Sequence, residues 1–236
     1  MKMLVCGSNG RMGSLIVKLA PEYGFEVIST VNRGSDFAAA FESFPDICMD
    51  FSSPDGLLEI VKHAAEQRIK VVSGTTGLTE AQKKSLGTYA EVIPILYSSN
   101  FSIGVYVLNK LTKLAAELFP GDFDIEIIER HHSKKKDAPS GTAMSLLRTI
   151  GSVGEHKTLF GRHGECLREK GEICVHSVRG GDIVGEHEVM FAGIGERLEL
   201  VHRATNREIF ARGALYAAGI FMNKQAPGMY ELSDIL

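Results

Sequence analysis

The residues best suited to chemistry lie together in Glu-Arg-His-His-Ser-Lys-Lys-Lys-Asp-Ala-Pro-Ser-Gly-Thr-Ala, from Glu129 to Ala143. His131 and His132 can take or give a proton near neutral pH. Arg130, Lys134, Lys135 and Lys136 surround them with positive charge. Pro139 imposes a turn, and Ser140 then reads as the N-cap of a helix opening at Gly141 and Thr142. The first amides of a helix have no intrahelical acceptor, so such a start beside several cations suits a carboxylate or phosphate. The chemistry on offer is capture of a small anion with proton transfer beside it. A lysine-rich run alone more often marks a solvated loop or a nucleic-acid patch. What the rest of the chain builds around this run separates the two readings.

Met3 to Cys6 is an unbroken apolar run, as in a buried parallel strand. Gly7-Ser-Asn-Gly-Arg-Met-Gly13 follows, and Leu15, Ile16, Leu19 and Ala20 then recur at helical spacing. Strand, glycine turn and helix is the context of a dinucleotide fold, here spaced GxxGxxG rather than GxGxxG. A second strand, Phe25 to Val31, ends at Asn32-Arg33. Folds that take NAD usually place a carboxylate here for the ribose 2′-hydroxyl. Asn32 does not repel a 2′-phosphate, and Arg33 with Arg11 attracts one. NADPH is therefore the expected preference, with NADH possible.

Further strands are expected at Ile47–Phe51, Lys70–Ser73 and Val92–Leu96. Ser52-Ser53-Pro54 opens the first intervening helix, with Leu57, Leu58, Ile60, Val61, Ala64 and Ala65 on its apolar face. Thr79 and Gln82 form a capping box for the next. This alternation predicts an α/β, Rossmann-like parallel sheet with right-handed crossovers. Ligands lie beyond the carboxyl ends of such strands, which puts Gly74, Thr75, Asn100 and Phe101 on the edge of the glycine turn.

In the second half, Ile103–Leu118 reads as a packing helix with Val107, Leu108, Leu111, Leu114 and Ala115 toward the core, ended by Pro120-Gly121. Phe123–Ile128 alternates as a strand that leads into the cationic run, and the helix after Gly141 reaches about Ile150. Residues 151–171 read as a long polar loop. Ile173–Val178, Glu186–Phe191 and Arg197–Arg203 read as strands of a smaller α+β domain with a mixed or antiparallel sheet. A closing helix from Ile209 to Phe221 returns to the first domain. The expected division is a dinucleotide-binding domain, 1–101 with 206–236, and a substrate-binding and oligomerisation domain, 102–205.

Bulk composition bounds the function. Over 236 residues, 44% hydrophobic and 23% charged suit a globular chain, and a net charge of −3 argues against nucleic acid as partner. The cationic patch is also small and has no adjoining aromatic residue for base stacking. The four cysteines show no CxxC spacing, so no metal site is expected. Cys6 and Cys48 lie in apolar runs as buried thiols, which suits a reducing cytoplasm. The opening apolar run is too short for a leader and no run approaches a membrane span.

In this order the motifs resemble those of the 4-hydroxy-tetrahydrodipicolinate (dihydrodipicolinate) reductase family, over essentially the whole chain. The resemblance is carried by Gly7–Gly13, Asp50-Phe-Ser-Ser-Pro54, Gly74-Thr-Thr-Gly77, Asn100-Phe-Ser-Ile-Gly104, Glu129–Thr142, Arg179–His187, Gly195-Glu196 and Gly228-Met-Tyr230. It implies NAD(P)H-dependent reduction of a cyclic dicarboxylate, with loss of water, in the diaminopimelate route of lysine biosynthesis. By resemblance, His131 and Lys135 fall on the acid/base pair, and His132, Ser140, Gly141 and Thr142 on the substrate positions. Gly7, Ser8, Asn9, Gly10, Arg11, Met12, Asn32, Arg33, Gly74, Thr75, Thr76, Ser99, Asn100, Phe101 and Ser102 fall at the cofactor. A homotetramer through the second domain's sheet is also implied. Two departures stand out: Asn32 replaces the usual acidic residue, and the stretch from Arg33 to Ile47 is short. Lys135, beside other cations, is the expected proton donor, with His131 orienting or sharing that proton. Rival readings are another two-domain reductase of amino-acid metabolism, or an NADP-binding sensor without turnover.

Overall fold

A computed structural model describes every residue except Pro120, so the expected helix stop at Pro120-Gly121 lies partly outside the described residues. The chain divides into two compact units, Met1–Ser102 with Glu208–Leu236, and Ile103–Arg207. Among the described residues no helix is long and apolar enough to cross a membrane.

The first unit holds β1 (Lys2–Cys6), β2 (Glu26–Val31), β3 (Ile47–Asp50), β4 (Lys70–Ser73) and β5 (Pro94–Tyr97). A short strand near the end of the chain, β11 (Gly228–Tyr230), joins them. The sheet order is β11-β5-β4-β3-β1-β2, parallel throughout. Met3, Leu4 and Val5 are fully buried, as the unbroken apolar run requires for a strand covered on both faces. The register aligns Val31, Cys6, Asp50, Ser73 and Tyr97 in one row at the carboxyl ends of five strands. Everything that follows those residues therefore emerges on a single edge.

Helices α1 (Arg11–Leu19), α3 (Pro54–Gln67), α4 (Glu80–Ala90) and α7 (Glu208–Phe221) complete this unit, with α2 (Phe37–Phe41), at five residues too short to show a helical period in the sequence. Ser53 caps α3, its Oγ accepting from the Gly56 amide at 3.3 Å. Leu57, Ile60 and Val61 of α3 are fully buried, each worth roughly 2 kcal/mol of transfer free energy. Thr79 and Gln82 close the expected capping box on α4.

The second unit pairs α5 (Ile103–Leu118) and α6 (Gly141–Gly151) with a mixed sheet. Its strands are β6 (Asp124–His131), β7 (Lys157–Phe160), β8 (Glu172–Arg179), β9 (Gly185–Gly193) and β10 (Glu196–Ala204), in the order β10-β9-β6-β8-β7. β6, β8 and β7 run parallel; β9 is antiparallel to β6 and to β10. Ile125, Ile127, Ile173, Val175, Val189 and Phe191 form the inner face, under Leu108, Ala115, Leu146 and Ile150.

Three expectations change here. On α5 the buried residues are Val105, Leu108, Thr112 and Ala115, whereas Val107, Leu111 and Leu114 are 45–50% exposed. Apolar residues span more of that helix than one sheet and one neighbouring helix can cover. Residues 151–171 are not all loop, because β7 extends the sheet beside β8. Its side chains are mostly exposed, so no alternation announces it. Arg162 and Arg168, bonded to Glu172 and Glu126, fasten the connection after it. Finally, β6 continues to His131 rather than stopping at Ile128. Glu129 and His131 therefore stand on a strand.

Candidate active site

In the first unit the edge beyond the strand ends is built from backbone geometry. Gly7 adopts φ +80°, and a Cβ there would lie 2.5 Å from the Phe51 carbonyl oxygen. A Cβ on Gly13 would lie 2.1 Å from the carbonyl oxygen of Gly7. Only glycine permits this turn. The turn is closed by Gly10 N–H donating to Gly7 O at 2.9 Å and anchored by Gly7 N–H donating to Val31 O at 2.8 Å. No side chain caps α1 and no acidic residue occupies its first turn, which suits an anion such as a pyrophosphate.

Asn32 holds this turn from the end of β2. Its amide donates to Ser8 Oγ at 2.8 Å, and its Oδ1 accepts from the Asn9 amide at 3.0 Å. Arg11 and Arg33 are exposed on the same edge. Asp50 ends β3 fully buried and accepts from the hydroxyls of Ser52, Ser73 and Thr75. Burial raises its pKa, and the three hydroxyls only partly offset this. Thr75 thus turns inward, while Thr76 and Ser99 are exposed. Gly74 packs under Phe51, whose ring lies 5.9 Å from that of Phe101. Asn100 accepts from the Ser102 amide through Oδ1 at 2.9 Å, shaping the loop after β5. The cofactor residues expected from sequence therefore share one edge, but Thr75, Phe101 and Ser102 are buried members of its support.

In the second unit the site is built from charged side chains. The alternation of β6 puts Ile125, Ile127, Glu129 and His131 on the inner face. Glu129 is fully buried and gathers four donors. Arg179 gives it two hydrogen bonds of 2.8 Å, His131 Nδ1 lies 2.5 Å away, and the Ser140 amide donates at 3.1 Å. Burial works to raise the Glu129 pKa, but Arg179 and His131 outweigh it and hold it at about 2. Burial, chiefly, lowers the pKa of His131; Glu129 opposes that shift, and Lys135 and Arg179 reinforce it.

Ser140 caps α6 as expected, its Oγ accepting from the Ala143 amide at 3.2 Å. The same Oγ lies 3.0 Å from His187 Nε2. Burial takes His187 down to about 3, with His131 adding to the shift, so its ring is neutral and shares a hydrogen bond with the Ser140 hydroxyl. The Gly141 and Thr142 amides precede the first helical bond, from Met144 N–H to Ser140 O. Lys135 lies on the connecting turn, its Nζ 2.9 Å from Asp137 Oδ1. Lys135 pulls the Asp137 carboxyl below its usual range. His132 is half-buried just past β6, and Lys134 and Lys136 point to solvent.

Asp50, Glu129, Arg179 and His187 all lie within the motifs, yet local sequence shows no role for them. The signal was available for Glu129: a carboxylate in phase with Ile125 and Ile127 belongs to the buried face if the strand is read two residues further. Glu126, Cys174 and His176 also converge, with ligand atoms within 4.8 Å. Glu126 is however committed to Arg168, Arg162 and His176, and two guanidiniums make that cluster an ion-pair network, poor for a cation.

The family description "Dihydrodipicolinate reductase, N-terminus" matches residues 1–101, and "Dihydrodipicolinate reductase, C-terminus" matches 104–236. The chain is 42% identical over 239 residues to a 4-hydroxy-tetrahydrodipicolinate reductase of Alkaliphilus oremlandii, covering 100% of this chain and 98% of that one. It is also 42% identical over 248 residues to the enzyme of that name from Caldanaerobacter subterraneus subsp. tengcongensis, with the same coverage. Among solved structures, the dipicolinate-bound dihydrodipicolinate reductase of Paenisporosarcina sp. TG-14 superposes with a TM-score of 0.81 at 27% identity, covering 100% and 99% of the two chains.

Proposed function

The chain belongs to the dihydrodipicolinate reductase family, and on that footing we propose how its residues carry out the reaction. It is an oxidoreductase that reduces 4-hydroxy-tetrahydrodipicolinate to tetrahydrodipicolinate, with loss of water, in the diaminopimelate route to lysine. The bound nicotinamide cofactor supplies the hydride. The protein must then hold a ring with two carboxylates and deliver one proton to the reduced ring system.

The glycine turn and the uncapped start of α1 form a cradle that fits a cofactor pyrophosphate. Gly7 to Met12, Asn32, Arg33, Gly74 to Thr76 and Ser99 to Ser102 are the proposed cofactor contacts and their support. With no carboxylate at Asn32 and two exposed guanidiniums nearby, NADPH is the proposed preference over NADH.

At the other site, the amides of Gly141 and Thr142 bind one substrate carboxylate, with His132 and Ser140 shaping its seat. Lys135 donates the proton, and His131 orients and shares it. The observation that carries this reading is the convergence of His131 and the start of α6 on one buried carboxylate, Glu129. A homotetramer joined through the second unit's sheet fits its outer face, where Val178 and Val201 are 44% and 38% exposed.

The test is NADPH oxidation in the presence of the condensation product of pyruvate and aspartate semialdehyde. Oxidation dependent on that product is expected. Cofactor binding without turnover would instead favour a sensor.

A further inference from the structure

Glu129 uses its two oxygens for different tasks. Oε1 accepts from the Ser140 amide and from Arg179 Nη2. Oε2 accepts from His131 Nδ1 and from Arg179 Nη1. These four donors, from β6, from the end of β8 and from the cap of α6, occupy both oxygens of one carboxylate, and the Ser177 hydroxyl adds to its hold. Three of these donors cannot change role, because backbone and guanidinium N–H groups only donate. The imidazole alone could act either way, and against a carboxylate its Nδ1 must carry the proton. That leaves Nε2 as the atom that exchanges protons. Gly185 leaves room beside it, since a Cβ there would lie 3.0 Å from Nε2.

Ser140 is gripped twice, at its amide by Glu129 and at its hydroxyl by His187. Displacing Glu129 would therefore disturb the imidazole and the helix start together.

We propose that Glu129 is a positioning residue that fixes His131 in the Nδ1–H form and ties that imidazole to the anion-binding start of α6. The inference rests on the reading of His131 as a proton-transfer group, and it adds the residue that fixes which nitrogen does the work.

Glu129→Gln separates the two oxygens. The glutamine carbonyl belongs at the Oε1 position, where both partners are fixed donors. Its NH2 group then replaces Oε2 and faces His131 Nδ1, which can accept only if the ring shifts its proton to Nε2. The experiment is 15N-histidine NMR of the full-length wild type and Glu129→Gln, with His131→Asn identifying the resonance, alongside steady-state kinetics. Wild type should show His131 protonated at Nδ1. Glu129→Gln should show it protonated at Nε2, with kcat lower by about 100-fold and the substrate KM within about threefold.

A wild-type His131 protonated at Nε2 overturns the proposal. So does an unchanged tautomer in Glu129→Gln, whether or not kcat falls, because a loss without a tautomer shift is structural. If Glu129→Gln does not fold, the wild-type spectrum decides alone. The expected spectra with a wild type that does not reduce the dicarboxylate would support this positioning role and overturn the functional reading instead.

Discussion

Asp50 and Glu129 are both fully buried carboxylates, one in each unit, and each ties together segments that bear proposed site residues. They are partnered in opposite ways. Asp50 meets three hydroxyls, which can donate or accept, and burial raises its pKa. Glu129 meets a guanidinium, an imidazole and a backbone amide, and is held at about 2. Burial works to raise both, but at Glu129 the Arg179 guanidinium and the His131 imidazole outweigh it, whereas the hydroxyls around Asp50 do not. The first arrangement suits a scaffold for backbone turns. The second suits a site where a proton must stay on one chosen nitrogen.

The sharpest break between the units should appear in catalysis. His131→Ala and Lys135→Ala should each lower kcat by about 100-fold or more, the usual size of a lost acid–base group. KM for NADPH should stay within about threefold, since neither residue lies in the unit with the glycine turn. Steady-state kinetics with each variant checks both numbers. Wild-type turnover in both would end the assignment.

Stability should separate the two carboxylates next. Asp50→Asn should cost at most about 1 kcal/mol, because Ser73 and Thr75 can rotate to accept from the new NH2 group. Glu129→Gln should cost about 3 kcal/mol, because its NH2 group faces the fixed donor Arg179 Nη1 and removes the charge partner of that guanidinium. Urea unfolding of the two variants measures the difference. Equal losses would mean that partner reversibility does not distinguish them.

This contrast also explains what could be read from the sequence. Gly7 and Gly13 are visible because backbone geometry leaves no alternative to glycine at such a turn. The parallel sheet followed from unbroken apolar runs, and the caps of α3, α4 and α6 from Ser53, Thr79 and Ser140. The chemistry-bearing types at His131 and Lys135 were equally plain. Glu129 is hidden because the cationic run reads as a loop, which ends the expected strand at Ile128 although β6 continues to His131. Arg179 and His187 reach Glu129 and Ser140 from 50 and 47 residues away, and no local spacing encodes such partners. The buried face of α5 does not follow from apolarity, because Thr112 is fully buried while Leu111 and Leu114 are not.

Acid should expose the same opposition. His187 takes a proton in the folded chain only near pH 3, whereas the unfolded chain takes it near 6.5. Between those values the unfolded state binds more protons, so stability falls with falling pH by up to about 1.4 kcal/mol per unit. Glu129 acts in the same direction. Its contribution is complete above the ordinary carboxylate range and is lost as pH falls toward 2. Asp50 acts in reverse: the folded chain keeps its proton to higher pH, so that contribution is present at low pH and lost as pH rises. His187→Gln should remove about one proton's worth of slope between pH 6.5 and 3, read from urea midpoints across pH. An unchanged slope would show that His187 is not held neutral by burial.

The smallest effect should lie at the cofactor edge, where the groups are exposed and water screens them. Arg33→Ala should lower the NADPH-to-NADH ratio of kcat/KM by about fivefold, which is roughly 1 kcal/mol for a solvated charge contact. Asn32→Asp tests the same preference without removing a cation. An aspartate can still accept from the Asn9 amide, and the Ser8 hydroxyl can turn to donate to it, so the turn should survive. Only the local charge then changes, and the ratio should again move toward NADH by about fivefold. If KM instead rises equally for both cofactors, Asn32 serves the shape of the glycine turn and not the choice between them. The preference would then rest on Arg33 and Arg11 alone.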